Sequence, residues 1–142
     1  MAEVALRAAV AATPELAGKV EVTSAGTARW HVGAPMDPRA RAALDRAGLH
    51  DPGTLGAFAD REYLLSHDLV LVMTREHRTD VLARTRGSGP EVQLLRNYLT
   101  PGLDLDLADP YYGDDREFDE CLAQIRESIR RWTSEFRQRW GE

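Results

Sequence analysis

Leu69-Val70-Leu71-Val72-Met73 is an unbroken apolar run, with no polar residue to mark a wet face. Such a run suits a strand covered on both faces, as in a parallel sheet. Helical patterns flank it. Asp60 to Leu65 reads as a short helix, and Thr74 caps another, with Val81 and Leu82 facing inward. His77 stands at the third helical position, where a capping box would place Glu. Strands alternating with helices give the α/β class, a three-layer sandwich with a parallel sheet. In such sheets sites lie at the carboxyl ends of strands.

The remaining elements fit that frame. Met1 to Ala12 is rich in Ala and reads as a helix without an N-cap, ended by Pro14 and Gly18. Val20-Glu21-Val22-Thr23-Ser24 alternates apolar and polar residues, which predicts a strand. Asp37-Pro38 supplies a cap and a first helical position. That helix runs to Ala47, with Ala40, Ala43, Leu44 and Ala47 on one face and Gly48 closing it. Leu49 to Ala59 and Arg84 to Pro90 read as loops, and Val92 to Leu95 as the third strand. Asp114 to Trp140 is the longest helix, its stripe formed by Phe118, Cys121, Leu122, Ile125, Ile129, Trp132 and Phe136. Cys121 lies within that stripe and reads as a buried structural thiol.

The sequence has 142 residues, which implies one domain, 1–142, with one real core. A net charge of −5 argues against a broad nucleic-acid-binding surface. One cysteine excludes a disulfide framework and a Cys/His metal cluster, so no metal and no cofactor are expected. No signal peptide is visible and no apolar run approaches membrane-spanning length, so the expectation is a cytoplasmic protein with no membrane partner. No oligomeric state is assigned.

Asp109-Pro110-Tyr111-Tyr112-Gly113 carries the chemistry. It lies between the acidic, apolar Leu103 to Ala108 and the last helix. Proline biases Asp109 toward extended backbone, so its carboxyl sits on a turn. Two adjacent rings and a glycine follow. A carboxyl beside such rings can donate a proton to a leaving group while the rings clasp an aromatic substrate. The same spacing also fits an ordinary turn with half-buried tyrosines.

Val22-Thr23-Ser24-Ala25-Gly26-Thr27, Trp30-His31-Val32-Gly33, Asp37-Pro38-Arg39-Ala40 and the Asp109 block together resemble the low-molecular-weight protein tyrosine phosphatase family, in details closest to actinobacterial members. The resemblance covers nearly the whole chain. It implies a four-stranded parallel sheet and a two-step mechanism. A Cys thiolate in a phosphate-cradling loop attacks phosphorus, an Arg closing the loop holds the oxygens, and an Asp protonates the leaving phenol and then deprotonates water. Carried over, Asp109 matches the general acid. Tyr111, Tyr112 and Trp30 match the rings around the phosphotyrosine slot, and Ser24 the hydroxyl bracing the phosphate loop. His31 receives no role. The implied substrate is a phosphotyrosine protein or aryl phosphate, provided the loop is present.

The family's first central strand, nucleophilic Cys, loop Arg and Ser-Pro are absent from these residues. Met1-Ala2-Glu3 matches the point just after that loop. Thr54-Leu55-Gly56-Ala57 stands where the family carries a His-containing run that braces the loop. Residues 1–142 are therefore expected to be inactive as a phosphatase. Two origins remain: an enzyme whose sequence begins too late, or a pseudophosphatase acting as a binding module. A phosphatase-fold arsenate reductase would need further cysteines, and a phosphoarginine phosphatase would have less use for the rings.

Overall fold

The computed structural model describes residues 1–98 and 105–141, so Leu103 and Asp104 of the acidic run lie outside the described residues. In chain order the elements are α1 (Ala2–Ala11), α2 (Pro38–Arg46), α3 (Arg61–Leu65), β1 (Leu69–Val72), α4 (Arg75–Thr85), β2 (Glu91–Leu94), a 3-10 turn (Leu95–Tyr98) and α5 (Asp115–Trp140). They fall into two compact units. The first comprises Met1–Thr23, Met36–Thr54 and Asp109–Glu142; the second comprises Ser24–Pro35 and Leu55–Ala108.

The first unit is built on α5. Asp114 opens it by accepting the Glu117 amide, which satisfies one of the free N–H groups of the first turn. The stripe read from the sequence is buried in full, from Phe118 to Phe136, and Trp132 has no exposed surface. Against it pack α1, which buries Val4, Ala5 and Val10, and α2, which buries Ala40, Ala43 and Leu44. Ser128 is buried inside the stripe, with its hydroxyl donating to the Gln124 carbonyl at 3.0 Å. Each large apolar side chain buried this way contributes roughly 1.5–3 kcal/mol. As expected, α1 has no side-chain cap. At the end of α2, Gly48 takes φ +75° while Leu49 N donates back to Leu44 O.

The second unit holds the ladder. β1 and β2 are parallel, in a register running from Leu69 opposite Glu91 to Val72 opposite Leu94. Ala59, Leu64, Val72, Val81 and Leu94 form its core, with α3 and α4 packed around it. Asp60 caps α3 and Thr74 caps α4, the latter by accepting the His77 amide at 3.1 Å.

Four expectations are corrected. First, Val20–Ser24 joins no strand; the nearest ladder contact is a single parallel bridge from Gly26 to Phe58. Alternation selects which side chains face inward, but a strand also needs a neighbour, and the described residues supply none at that point. Second, Leu69, Val70 and Leu71 are only partly buried, because the ladder has two strands among the described residues. Third, α4 runs on through Arg84 and Thr85. Fourth, Leu82 is 42% exposed, because Val81 and Thr85, one turn apart, take the inward face. No helix among the described residues is long and apolar enough to cross a membrane.

Candidate active site

Asp109, Tyr111 and Tyr112 share one turn of the first unit. The Tyr111 amide donates to Asp109 Oδ1 at 3.1 Å, and the Gly113 amide to the Pro110 carbonyl at 2.7 Å. These bonds tie the carboxyl to its own turn and close the turn behind it. The Asp109 side chain stays exposed, where a proton can be exchanged with a ligand. Tyr111 and Tyr112 meet nearly at right angles, with ring centroids 5.0 Å apart. Tyr112 is 97% exposed, so its ring is not core packing; two exposed rings flanking a carboxyl are available to a ligand.

Arg39 is a residue whose part in this turn was not foreseen. Its Nη1 donates to the Gly113 carbonyl at 3.0 Å, while Nε and Nη2 reach the two carboxyl oxygens of Asp37 at 3.2 and 2.8 Å. Its guanidinium lies 4.7 Å from the Phe118 ring centroid and 5.7 Å from that of Tyr111. The Asp37 carboxyl is held below the usual carboxylate range, first by its hydrogen bonds from the Arg39 side chain. In the sequence, Arg39 belongs to the Asp37-Pro38-Arg39-Ala40 block that carries the resemblance, but nothing there ties it to the Asp109 turn.

Cys121 lies inside the apolar stripe of α5, 8% exposed. Burial pushes its thiol upward; the N-terminal ammonium opposes this, and the Asp109 charge adds to it. A thiol so placed is protonated and shielded, the opposite of a nucleophile. It is the only cysteine in residues 1–142. Two grooves, of about 450 and 250 Å³, run along α5, and neither includes Asp109, Tyr111 or Tyr112.

Trp30 and Ser24 belong to the second unit, where both are exposed, Trp30 by 85%. The loop carrying Trp30 is laced to the segment after Thr54. Gly33 N donates to Gly56 O, and Gly56 N to Ala34 O, both at 2.8 Å. A Cβ at Gly56 would lie 2.0 Å from the His31 carbonyl oxygen, so only glycine fits there. Gly56 is thus packed to suit this chain's own Trp30 loop. Arg84 ties the same region, donating to the carbonyls of Ala59 at 3.1 Å and Thr27 at 2.5 Å. Phe58 sits 4.0 Å beneath the Arg29 guanidinium.

Residues 1–140 match the family profile described as low molecular weight phosphotyrosine protein phosphatase. A low molecular weight protein-tyrosine-phosphatase of Streptomyces coelicolor is 37% identical over 129 residues, covering 88% of this chain and 77% of that protein. Low molecular weight protein-tyrosine phosphatase A of Mycobacterium bovis is 35% identical over 116 residues, covering 80% and 69%. Among solved structures, YfkJ from Bacillus subtilis superposes with a TM-score of 0.84 at 24% identity, covering 97% of this chain and 86% of that one.

Proposed function

Since this chain belongs to the low molecular weight phosphotyrosine protein phosphatase family, we propose that the Asp109 turn is the proton-transfer half of a site for phosphotyrosine ester hydrolysis. Asp109 gives its proton to the phenolate oxygen as the P–O bond breaks, then takes one from the water that releases phosphate. Tyr111 and Tyr112 offer their rings to the aryl group; by the family resemblance Trp30 is a further aryl-contacting ring and Ser24 a hydroxyl bracing the phosphate loop. The observation that carries this reading is the exposed carboxyl of Asp109, tied to the Tyr111 amide beside two open rings. The rings favour an aryl ester over a phosphoguanidine. The setting is an aqueous, reducing compartment such as the cytoplasm.

The covalent half needs a thiolate and an anion cradle. Within residues 1–142 the sole thiol is Cys121, buried and pushed upward. Losing a nucleophile in comparable covalent enzymes costs on the order of a million-fold in turnover. The polypeptide of residues 1–142 therefore releases no measurable phosphate from para-nitrophenyl phosphate. Turnover that survives Cys121→Ala would overturn this division of labour. The DNA immediately upstream of Met1 tests the origin: an in-frame Cys-to-Arg loop followed by Ser-Pro supports the enzyme.

A second reading is a binding module of the same fold. It is favoured by Gly56 packed on the His31 carbonyl, where the family's bracing histidine run is replaced. A stop codon directly upstream, with a cooperative melt of residues 1–142 and capture of a tyrosine-bearing partner, selects it.

A further inference from the structure

We propose that Arg39 is the positioning residue of the acid turn, a three-pronged brace that fixes where the Asp109 carboxyl points. This rests on the reading of Asp109 as proton donor.

The argument begins at the helix cap. Asp37 Oδ1 accepts the Arg39 amide at 2.8 Å, which locks the carboxylate onto the first turn of α2. The same carboxylate accepts Nε and Nη2 of Arg39, so two parallel bonds hold the guanidinium plane. The remaining prong, Nη1, points to the Gly113 carbonyl. A guanidinium is rigid and planar, so fixing two of its nitrogens fixes the third.

The turn is constrained in its turn. Gly113 ends it and Asp109 begins it. The Gly113 amide is bonded to Pro110 O, and proline fixes the backbone angle next to Asp109. Holding Gly113 O therefore limits the whole segment. The ring of Phe118, which is 4% exposed and belongs to the start of α5, lies under the guanidinium within cation–π range. Tyr111 lies at the edge of that range, so the brace also biases the first aryl-clasping ring. A misplacement of about 1 Å in a reacting group can cost about 100-fold in rate, so such a brace has a catalytic consequence without touching substrate. Lysine cannot replace it: an ammonium is a point donor without the planar fork.

The test is ¹⁵N relaxation on residues 1–142 and on the R39K and R39Q variants. In the unsubstituted chain the Tyr111, Tyr112 and Gly113 amides show order parameters near the rigid value, about 0.85. In both variants they fall below about 0.6, while Val72, Leu94 and Ile125 keep theirs. Three results would each overturn the proposal: an unchanged turn in both variants, full rescue by lysine, or loss of order throughout the chain in both. The measurement needs no turnover. It can therefore fail while Asp109 remains the acid, and it can succeed while the phosphatase reading fails.

Discussion

Cys121 and Asp109 both carry groups that phosphate-ester chemistry uses, and their surroundings separate them. The thiol is enclosed with Leu122 and Ile125 on the α5 stripe, and burial raises its pKa. The carboxyl is exposed and tied to its own turn. Iodoacetamide is expected to alkylate Cys121 in the native chain far more slowly than in urea, because the thiol is both protonated and covered. Equal rates would mean that the stripe is open. For Asp109 the consequence is kinetic. If Asp109 is the proton donor proposed above, Asp109→Asn in a polypeptide extended upstream to carry the family's Cys-to-Arg loop is expected to lower kcat for an aryl phosphate by about 10²–10⁴-fold. The loss shrinks for phenols that leave without proton help. A kcat unchanged across leaving groups removes Asp109 from the reaction.

The elements differ in how much of their formation is local, and this decides what could be read from the sequence. The α5 stripe was legible because one helix face sets it, and every member from Phe118 to Phe136 is buried. Trp132→Ala is expected to cost about 3–5 kcal/mol in urea unfolding, since a fully buried ring leaves a cavity. The caps at Asp37 and Thr74 were legible for the same reason: a side chain and an amide two or three residues on are enough. Val20–Ser24 was misread because alternation is local and pairing is not. The far end of α4 was misplaced because its stop is Arg86, a non-glycine residue at φ 53°, where composition signals only a loop. The left-handed region costs a side chain about 1–2 kcal/mol, partly offset by the entropy glycine gives the unfolded chain. Arg86→Gly is therefore expected to stabilise by about 0.5–1 kcal/mol. A lower urea midpoint would contradict that sign. At the candidate site, the Asp109 and Asp37-Pro38-Arg39-Ala40 blocks stood out as separate motifs, but the bond joining them through Arg39 and Gly113 was not legible: it spans 74 positions, beyond any local pattern.

For the molecule as a whole, the shifted carboxyls set an acid limit to stability. Asp37 is depressed first by hydrogen bonds from the Arg39 side chain, and Asp51 first by the Thr54 amide. Asp51 has no exposed side-chain surface; its Oδ1 accepts the Gly53 and Thr54 amides at 3.1 and 2.9 Å, and Arg41 lies 3.6 Å from Oδ2. Asp106, in the second unit, is depressed first by the Arg75 amide. A carboxyl with a lowered folded pKa binds fewer protons folded than unfolded, so its contribution is present above the unfolded value, about 3.9. That contribution is lost as pH falls through the folded value. Cys121 sets the alkaline side: its folded pKa is raised, so stability declines once pH exceeds the unfolded thiol value of about 8.5. The urea midpoint is thus expected to fall below about pH 4 and above about pH 8.5, while the Met1 ammonium, lowered first by burial, makes it climb with pH toward the unfolded amine value of about 8. Asp37→Asn isolates one contributor, because Asn caps a helix as well as Asp but does not titrate in this range. Its acid limb is expected to be shallower than that of the unsubstituted chain, and Cys121→Ala is expected to flatten the alkaline limb alone. Superimposable profiles for all three proteins would show that these groups do not govern the pH dependence.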